Sequence, residues 1–304
     1  MTALRIQGLL FCAIAIGVAA TTTAGVALAP DGAAGLLLAA PILLLGVPHG
    51  ALDTVFAEEL HGVHGLRGWF RFALAYLGAA LLVLLAWQYA PQLSLAGFLL
   101  LSALHFSGDL APGTRFMARL LYGGAFILLP ALLHASEMAR LFAFLVSPQG
   151  AAALAGVLHE LSGPWLLATA VAAACQKRTH WLTGVEMAAA AALALLAPPL
   201  LAFAVFFCIM HSARHIVRTW HYVGARAESA TRLGRAALLP MLGTLVLGGT
   251  AAYWMRAQPI EAGLMRLLFV GLAALTVPHM ALVEQARWSG WINRRAAGPG
   301  CAEA

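Results

Sequence analysis

Two histidines inside an apolar stretch of this chain have the spacing of a metal site. His211 and His215 close the sequence Phe-Cys-Ile-Met-His-Ser-Ala-Arg-His and lie four residues apart, so on a helix they share one face. An ionisable side chain within a membrane span costs roughly 2.5–3.5 kcal/mol or more, and it is a functional-site hypothesis by default. Buried histidines bonded to neighbouring helices, or a haem-binding pair, would have the same spacing. One metal ion can bind both of the stacked imidazoles, so the spacing predicts that His211 and His215 are metal ligands.

Two further histidines are each followed by an aspartate four residues later. They are His49 and Asp53 in Pro-His-Gly-Ala-Leu-Asp, and His105 and Asp109 in His-Phe-Ser-Gly-Asp. On a helix each aspartate would accept a hydrogen bond from its own histidine, and a carboxylate so placed fixes the tautomer of a metal-binding imidazole. The spacing therefore predicts His49 and His105 as ligands, with Asp53 and Asp109 orienting them or binding the metal themselves.

Other residues near these histidines leave two interpretations open. His279, in Val-Pro-His-Met, either binds the metal or lines its pocket. Arg214 lies between the paired histidines and is interpreted as an anchor whose charge reaches the lipid headgroups, with a role near the site as the alternative. Phe106 and Phe207 are candidates for a hydrophobic substrate tunnel, although core packing or lipid contact would explain them equally well.

The composition predicts the fold that must position these side chains. With 62% hydrophobic and 10% charged residues, the chain is expected to be an all-α polytopic integral membrane protein whose residues 1–304 form a single transmembrane domain. The net charge of +6 comes from basic residues in short loops, so no nucleic-acid partner is expected. The four cysteines are scattered and predict neither a disulfide framework nor a zinc ribbon.

About ten transmembrane helices are predicted from the apolar segments. They lie near residues 6–29, 33–54, 72–90, 93–111, 119–135, 163–176, 181–198, 200–217, 236–255 and 262–286. The segment 140–160 is interrupted by Ser-Pro-Gln-Gly, and we expect it to be interfacial, re-entrant or part of an eleventh span.

Basic residues are concentrated after the even-numbered spans. They are Arg67, Arg71, Arg115, Arg119, Lys177, Arg178, Arg218, Arg226, Arg232 and Arg235, together with those of the tail 287–304. The positive-inside rule then places both termini in the cytoplasm. The five histidines fall near the inner ends of the second, fourth, eighth and tenth spans. We therefore expect a multi-pass protein of the cell membrane whose metal site lies toward the cytoplasmic side.

The motifs Pro-His-Gly-Ala-Leu-Asp, His-Phe-Ser-Gly-Asp, His-Ser-Ala-Arg-His and Pro-His-Met, in this order over residues 41–284, resemble those of the Brp/Blh family. Its members are bacterial and archaeal membrane enzymes that cleave β-carotene at the central 15,15′ double bond into two retinal molecules. The resemblance implies a non-haem Fe(2+) held by His49, His105, His211 and His215. It also implies O2 as co-substrate and a hydrophobic carotenoid that enters from the lipid bilayer.

Two other functions are compatible with histidines in membrane spans. A membrane di-iron hydroxylase or desaturase would need about eight ligands, more than these five histidines supply unless both aspartates also bind metal. A haem-binding or ion-transport protein is the alternative that is not an enzyme. A transporter should place polar groups across the whole membrane, whereas these histidines gather in one layer.

Overall fold

The fold consists of helices that follow the apolar segments of the sequence. The computed structural model describes residues 2–26, 33–176, 180–224 and 227–288, and these ranges contain no β-strand. Their thirteen α-helices are α1 (Ala3–Thr23), α2 (Ala33–Ala51), α3 (Asp53–His61), α4 (Gly65–Tyr89), α5 (Pro91–Phe106), α6 (Phe116–Leu128), α7 (Pro130–Ala143), α8 (Pro148–Ala174), α9 (Trp181–Leu196), α10 (Pro199–Val205), α11 (Ala213–Tyr222), α12 (Ala227–Trp254) and α13 (Ile260–Trp288). A 3-10 turn (Ser107–Asp109) follows α5, and a π-helix (Phe206–Ser212) joins α10 to α11.

Proline and capping residues fix where several helices begin. Pro91, Pro130, Pro148 and Pro199 occupy the first turn of α5, α7, α8 and α10, where the missing N–H removes no intrahelical bond. Ser147 caps α8, because its Oγ accepts a hydrogen bond from the backbone N–H of Gly150 at 3.2 Å.

Among the described residues, six helical segments are long and apolar enough to cross a membrane, or seven if the bent pair α6 and α7 counts as one span. The predicted number of about ten is therefore not confirmed, and the sidedness of the termini stays a prediction. The predicted spans 93–111 and 181–198 form α5 and α9, each of 16 residues. At a rise of 1.5 Å per residue such a helix is about 24 Å long, shorter than a bilayer core of about 30 Å.

The middle of the chain departs from the predicted segments. The predicted span 119–135 forms α6 and α7, which meet at an angle of 44° next to Pro130. The segment 140–160 belongs to two helices, because α7 continues to Ala143 and α8 starts at Pro148. The predicted start of a span at residue 163 is wrong, since α8 is one 27-residue helix that contains Pro164.

The buried core lies where α5, α6, α9 and the π-helix meet. The Phe206 ring stacks on Phe126 at a centroid distance of 3.9 Å. At Gly123 of α6, a Cβ would lie 2.6 Å from the backbone nitrogen of Ser107 and would also overlap the Ala103 carbonyl. This close approach holds α6 directly against the end of α5 and the 3-10 turn. By contrast, α4 and α12 carry many exposed leucines, as expected for helices that face lipid.

Some charged residues used for the predicted topology lie outside the described residues. These are Lys177, Arg178, Arg226 and the part of the basic tail from residue 289 onward.

Candidate metal centre

Three of the predicted ligands form a compact buried group. His49 lies near the end of α2, His105 near the end of α5 and His211 in the π-helix, and all three are buried. One ring nitrogen from each lies within 4.8 Å of those of the other two. Nitrogens on opposite sides of one bound ion are separated by about 4 Å, so this geometry suits a single metal ion.

His215 and His279 flank this group. The ring centroid of His279 is 5.0 Å from that of His105, 5.1 Å from that of His49 and 5.3 Å from that of His215. The His215 ring is partly buried and lies 5.6 Å from the His49 ring. The structure thus brings all five predicted histidines together, with His215 and His279 at the edge of the three-histidine group.

Each histidine lies at or near an irregular point of its helix. His49 is followed by a turn at Leu52, and His105 is followed by the 3-10 turn. His211 belongs to the π-helix, an element frequent at functional sites. His279 follows Pro278 inside α13, where a proline loosens the backbone pairing of a span. These irregularities turn the imidazoles of separate helices toward one region.

The two aspartates do not bond the histidines that precede them. Asp109 Oδ2 lies 3.1 Å from His211 Nδ1, and Asp53 Oδ1 lies 2.7 Å from His279 Nδ1. The prediction that Asp53 orients His49 and Asp109 orients His105 is therefore wrong. The helices break at Leu52 and after Phe106, so the residues four apart no longer stack on one helical face. His49 Nδ1 instead lies 3.1 Å from Ser212 Oγ.

The bonds to the aspartates determine which nitrogen can bind a metal. An ionised carboxylate only accepts, so Nδ1 of His211 and of His279 must carry the proton. In the neutral imidazole this leaves a lone pair on Nε2. Nothing within the described parts of the chain hydrogen-bonds to Nε2 of either residue. This arrangement, in which a carboxylate bonds the far nitrogen of a metal-binding histidine, is the usual one at protein metal sites.

Four residues of the site were not predicted from the sequence. Ser212 contacts His49, and Tyr76 Oη donates to Asp53 Oδ2 at 2.8 Å. Glu186 is buried and pairs with Arg214, while the Arg214 Nε donates to Gln7 Oε1 at 2.7 Å. The interpretation of Arg214 as a headgroup anchor is wrong, because its side chain is only 5% exposed. Glu186 could have been found as a carboxylate inside an apolar segment.

A cavity of about 1170 Å³ adjoins the histidines. Both tunnel candidates line it, together with His49, His105, His211 and His279. The Phe207 ring stacks on His211 at 5.6 Å, and the Phe106 ring lies edge-on to His211 at 4.9 Å. The volume exceeds the 300–1,000 Å³ or so of sites for drug-sized ligands. The cavity can therefore hold a large apolar molecule against the metal centre.

The same cavity opens sideways onto the apolar surface. Leu77 of α4, with Leu239 and Leu247 of α12, line the cavity and are 50%, 78% and 59% exposed. A long hydrophobic compound could enter between these two helices without crossing water.

The contacts of α12 indicate how the cavity lies relative to the histidines. Arg232 pairs with Glu58 at 2.9 Å, and the Ala236 carbonyl accepts from Thr54 Oγ1 at 3.1 Å. The numbers of the paired residues rise along α12 as they fall along α3, so these two helices run antiparallel. Gly50, next to His49, and Pro240 of α12 both line the cavity.

The lining residues of α12 span a distance that suits a long molecule. They extend from Thr231 to Leu247, a length of about 24 Å at 1.5 Å per residue.

The β-carotene 15,15′-dioxygenase family model matches residues 40–286, the region that contains all five histidines. The chain belongs to this family. A β-carotene 15,15′-dioxygenase of the uncultured marine bacterium 66A03 is 28% identical to it, over 80% of this chain and 90% of the relative. A probable β-carotene 15,15′-dioxygenase Blh of Halobacterium salinarum is 30% identical over 92% of this chain and 90% of the relative. No solved structure matches the chain.

Proposed function

We propose that this protein cleaves β-carotene with O2 at the central 15,15′ double bond and releases two retinal molecules. The observation that carries the proposal is the buried three-histidine group beside a long cavity that opens toward lipid. The two relatives described above, named as β-carotene 15,15′-dioxygenases, support the choice of substrate and bond.

The metal is proposed to be non-haem Fe(2+), held by His49, His105, His211 and His215. Imidazole ligands suit iron, and the three-histidine group contains no thiolate. Bound iron would supply the activation of O2. His279 is a further candidate ligand, because its Nδ1 is bonded to Asp53 as that of His211 is bonded to Asp109.

The protein residues are proposed to hold the metal, exclude water and align the polyene. Asp53 and Asp109 fix the tautomers of His279 and His211. Phe106 and Phe207 pack against the His211 ring and line the cavity, so they are placed to hold the substrate beside the metal. The cavity, which follows α12 from Thr231 to Leu247, is proposed to hold the extended polyene.

The substrate is proposed to enter laterally from the bilayer, through the opening beside Leu77 and Leu239. From the distribution of basic residues we further propose that both termini are cytoplasmic. The metal centre would then lie toward the cytoplasmic side of the cell membrane.

Expression in bacteria that accumulate β-carotene tests the proposed reaction. We expect the colour to fade and retinal to appear in chromatography of the extracts. His211→Ala should remove this activity, while His221→Ala, which changes an exposed histidine, should retain it. The proposal is wrong if the wild-type chain leaves β-carotene intact, or if it yields apocarotenals of unequal length in place of retinal.

A further inference from the structure

We propose that the buried pair of Arg214 and Glu186 positions the metal centre by fixing the 3-10 turn that carries Asp109. Arg214 and Glu186 are 4% and 2% exposed. Their side chains meet in a two-pronged contact, with Nη2 to Oε1 at 2.6 Å and Nη1 to Oε2 at 3.2 Å. A bidentate contact of this kind fixes the plane and direction of the guanidinium as well as its position.

The remaining donors of Arg214 point to other elements. Its Nη1 also donates to the Asp109 backbone oxygen at 3.0 Å, and its Nε donates to Gln7. Arg214 therefore joins α1, α9 and the 3-10 turn at one point.

The contact with Asp109 connects this pair to the metal centre. Arg214 follows His211 by three residues, and the Asp109 carboxylate bonds His211 Nδ1. Asp109 is thus held at two places by the same stretch of chain, at its backbone by Arg214 and at its side chain by His211. One turn later, Arg218 Nη2 donates to the same backbone oxygen at 2.7 Å. A shift of the guanidinium would move the carboxylate that orients His211.

Helix α1 leaves just enough room for this pair. A Cβ at Gly8 would overlap Glu186 Oε1 and lie 2.8 Å from Arg214 Nη2. Any side chain at position 8 must therefore displace the ion pair. Glycine at position 8 thus leaves the space that the side chains of Glu186 and Arg214 occupy.

Stability alone is a poor explanation for a buried ion pair. Replacing such a pair by well-packed apolar residues is often neutral or stabilising, because removing two charges from water offsets their attraction. The contact of Arg214 with the Asp109 backbone oxygen gives the ion pair another role, which is to fix the position of Asp109. This inference rests on the proposed function only in taking the histidines as metal ligands, and it can be tested without catalysis.

The test is the affinity for Fe(2+) and the d–d absorption spectrum of the Co(2+)-loaded protein. Arg214→Lys keeps the charge, but a lysine cannot form the two-pronged contact and reach Asp109 in the same way. We expect it to weaken Fe(2+) binding roughly 10–100-fold, the usual effect of losing an orienting contact, and to change the Co(2+) spectrum. The matched control is Arg140→Lys, which alters an exposed ion pair with Glu261 and should change neither.

The double variant Arg214→Met with Glu186→Met separates positioning from folding, since it leaves no unpaired buried charge. We expect it to retain the melting temperature of the metal-free protein within a few degrees and still to lose Fe(2+) affinity. Gly8→Ala should also lower the affinity for Fe(2+), by a smaller factor. Wild-type affinity and spectrum in Arg214→Lys, or in the folded double variant, would overturn the inference. A wild-type chain that binds metal but does not cleave β-carotene would contradict the proposed function and leave this test intact.

Discussion

Asp109 bonds His211 at 3.1 Å, across 102 positions of the sequence, although His105 precedes it by only four residues. Asp53 repeats this relationship, since it bonds His279 and not His49. Each His-x-x-x-Asp segment therefore contributes its histidine to the centre and its carboxylate to a histidine of another helix. The two exchanged contacts join α3 to α13 and the 3-10 turn after α5 to the π-helix.

Removing the charge of either aspartate should weaken the metal site. An asparagine at position 53 or 109 can still accept from Nδ1 but no longer makes the imidazole more basic, so we expect Asp53→Asn and Asp109→Asn to lower iron affinity roughly 10–100-fold. Titration with Fe(2+) under anaerobic conditions measures this. If either variant lost iron as completely as His211→Ala, that aspartate would be a direct ligand.

The purified protein should contain about one iron per chain, as expected for a single group of imidazole ligands. We expect His49→Ala, His105→Ala and His211→Ala to abolish binding, because these three form the compact group. Comparison of His215→Ala with His279→Ala decides which of the two flanking histidines completes the ligand set. Metal analysis that finds two irons per chain would contradict the mononuclear site, and an intense Soret band would indicate haem.

The cavity phenylalanines should determine where the polyene is cut. Phe106→Ala and Phe207→Ala enlarge the space beside His211, so we expect the substrate to slide and apocarotenals other than retinal to appear. Both changes also remove core packing, which typically costs 3–5 kcal/mol, so thermal unfolding must confirm that the variants fold. Phe116→Ala is the control, because Phe116 is 62% exposed. Retinal as the sole product at an unchanged rate in both variants would exclude the proposed role.

A methyl group at position 46 should obstruct the substrate and spare the metal. A Cβ at Gly46 would lie 2.6 Å from Cε1 of Phe207, so Gly46→Ala must displace this ring, which borders the cavity. We expect cleavage to slow by about tenfold or more, equivalent to at least 1.4 kcal/mol in the barrier, with iron content unchanged. The control is Gly97→Ala, where a Cβ meets nothing within 4 Å. Equal rates in the two variants would show that Phe207 moves without affecting the substrate.

The sequence was sufficient to predict which histidines meet, but not how they are held. The depth of His49, His105, His211 and His279 in their apolar segments placed them in one layer, and the structure brings them together. Their hydrogen-bond partners depend on where helices break, at Leu52 and after Phe106, and tertiary packing decides those points. Hence the assumption of continuous helices gave the wrong partner for each aspartate.

Charges in apolar segments were harder to interpret. Arg214 lies close enough to a predicted span end to reach the headgroups, and its buried partners Glu186, Gln7 and Asp109 on other elements explain why it remains inside. The same dependence on packing affects the predicted spans. The predicted interruption at Ser-Pro-Gln-Gly is present, because α7 ends at Ala143 and α8 begins at Pro148, but α8 then continues past the predicted start of a span at residue 163.

If the substrate enters as proposed, through the sideways opening of the cavity beside Leu77, Leu239 and Leu247, the bilayer is the reservoir of substrate. An enzyme supplied in this way responds to the mole fraction of carotenoid among the lipids and not to its amount per volume of suspension. Consider a fixed quantity of carotenoid and enzyme in a fixed volume, with the carotenoid below its saturating level. Doubling the amount of lipid should then reduce the rate, even though the concentration of carotenoid per volume is unchanged. The Michaelis constant would then be a surface concentration, and membranes that store carotenoid at high density would keep the enzyme saturated.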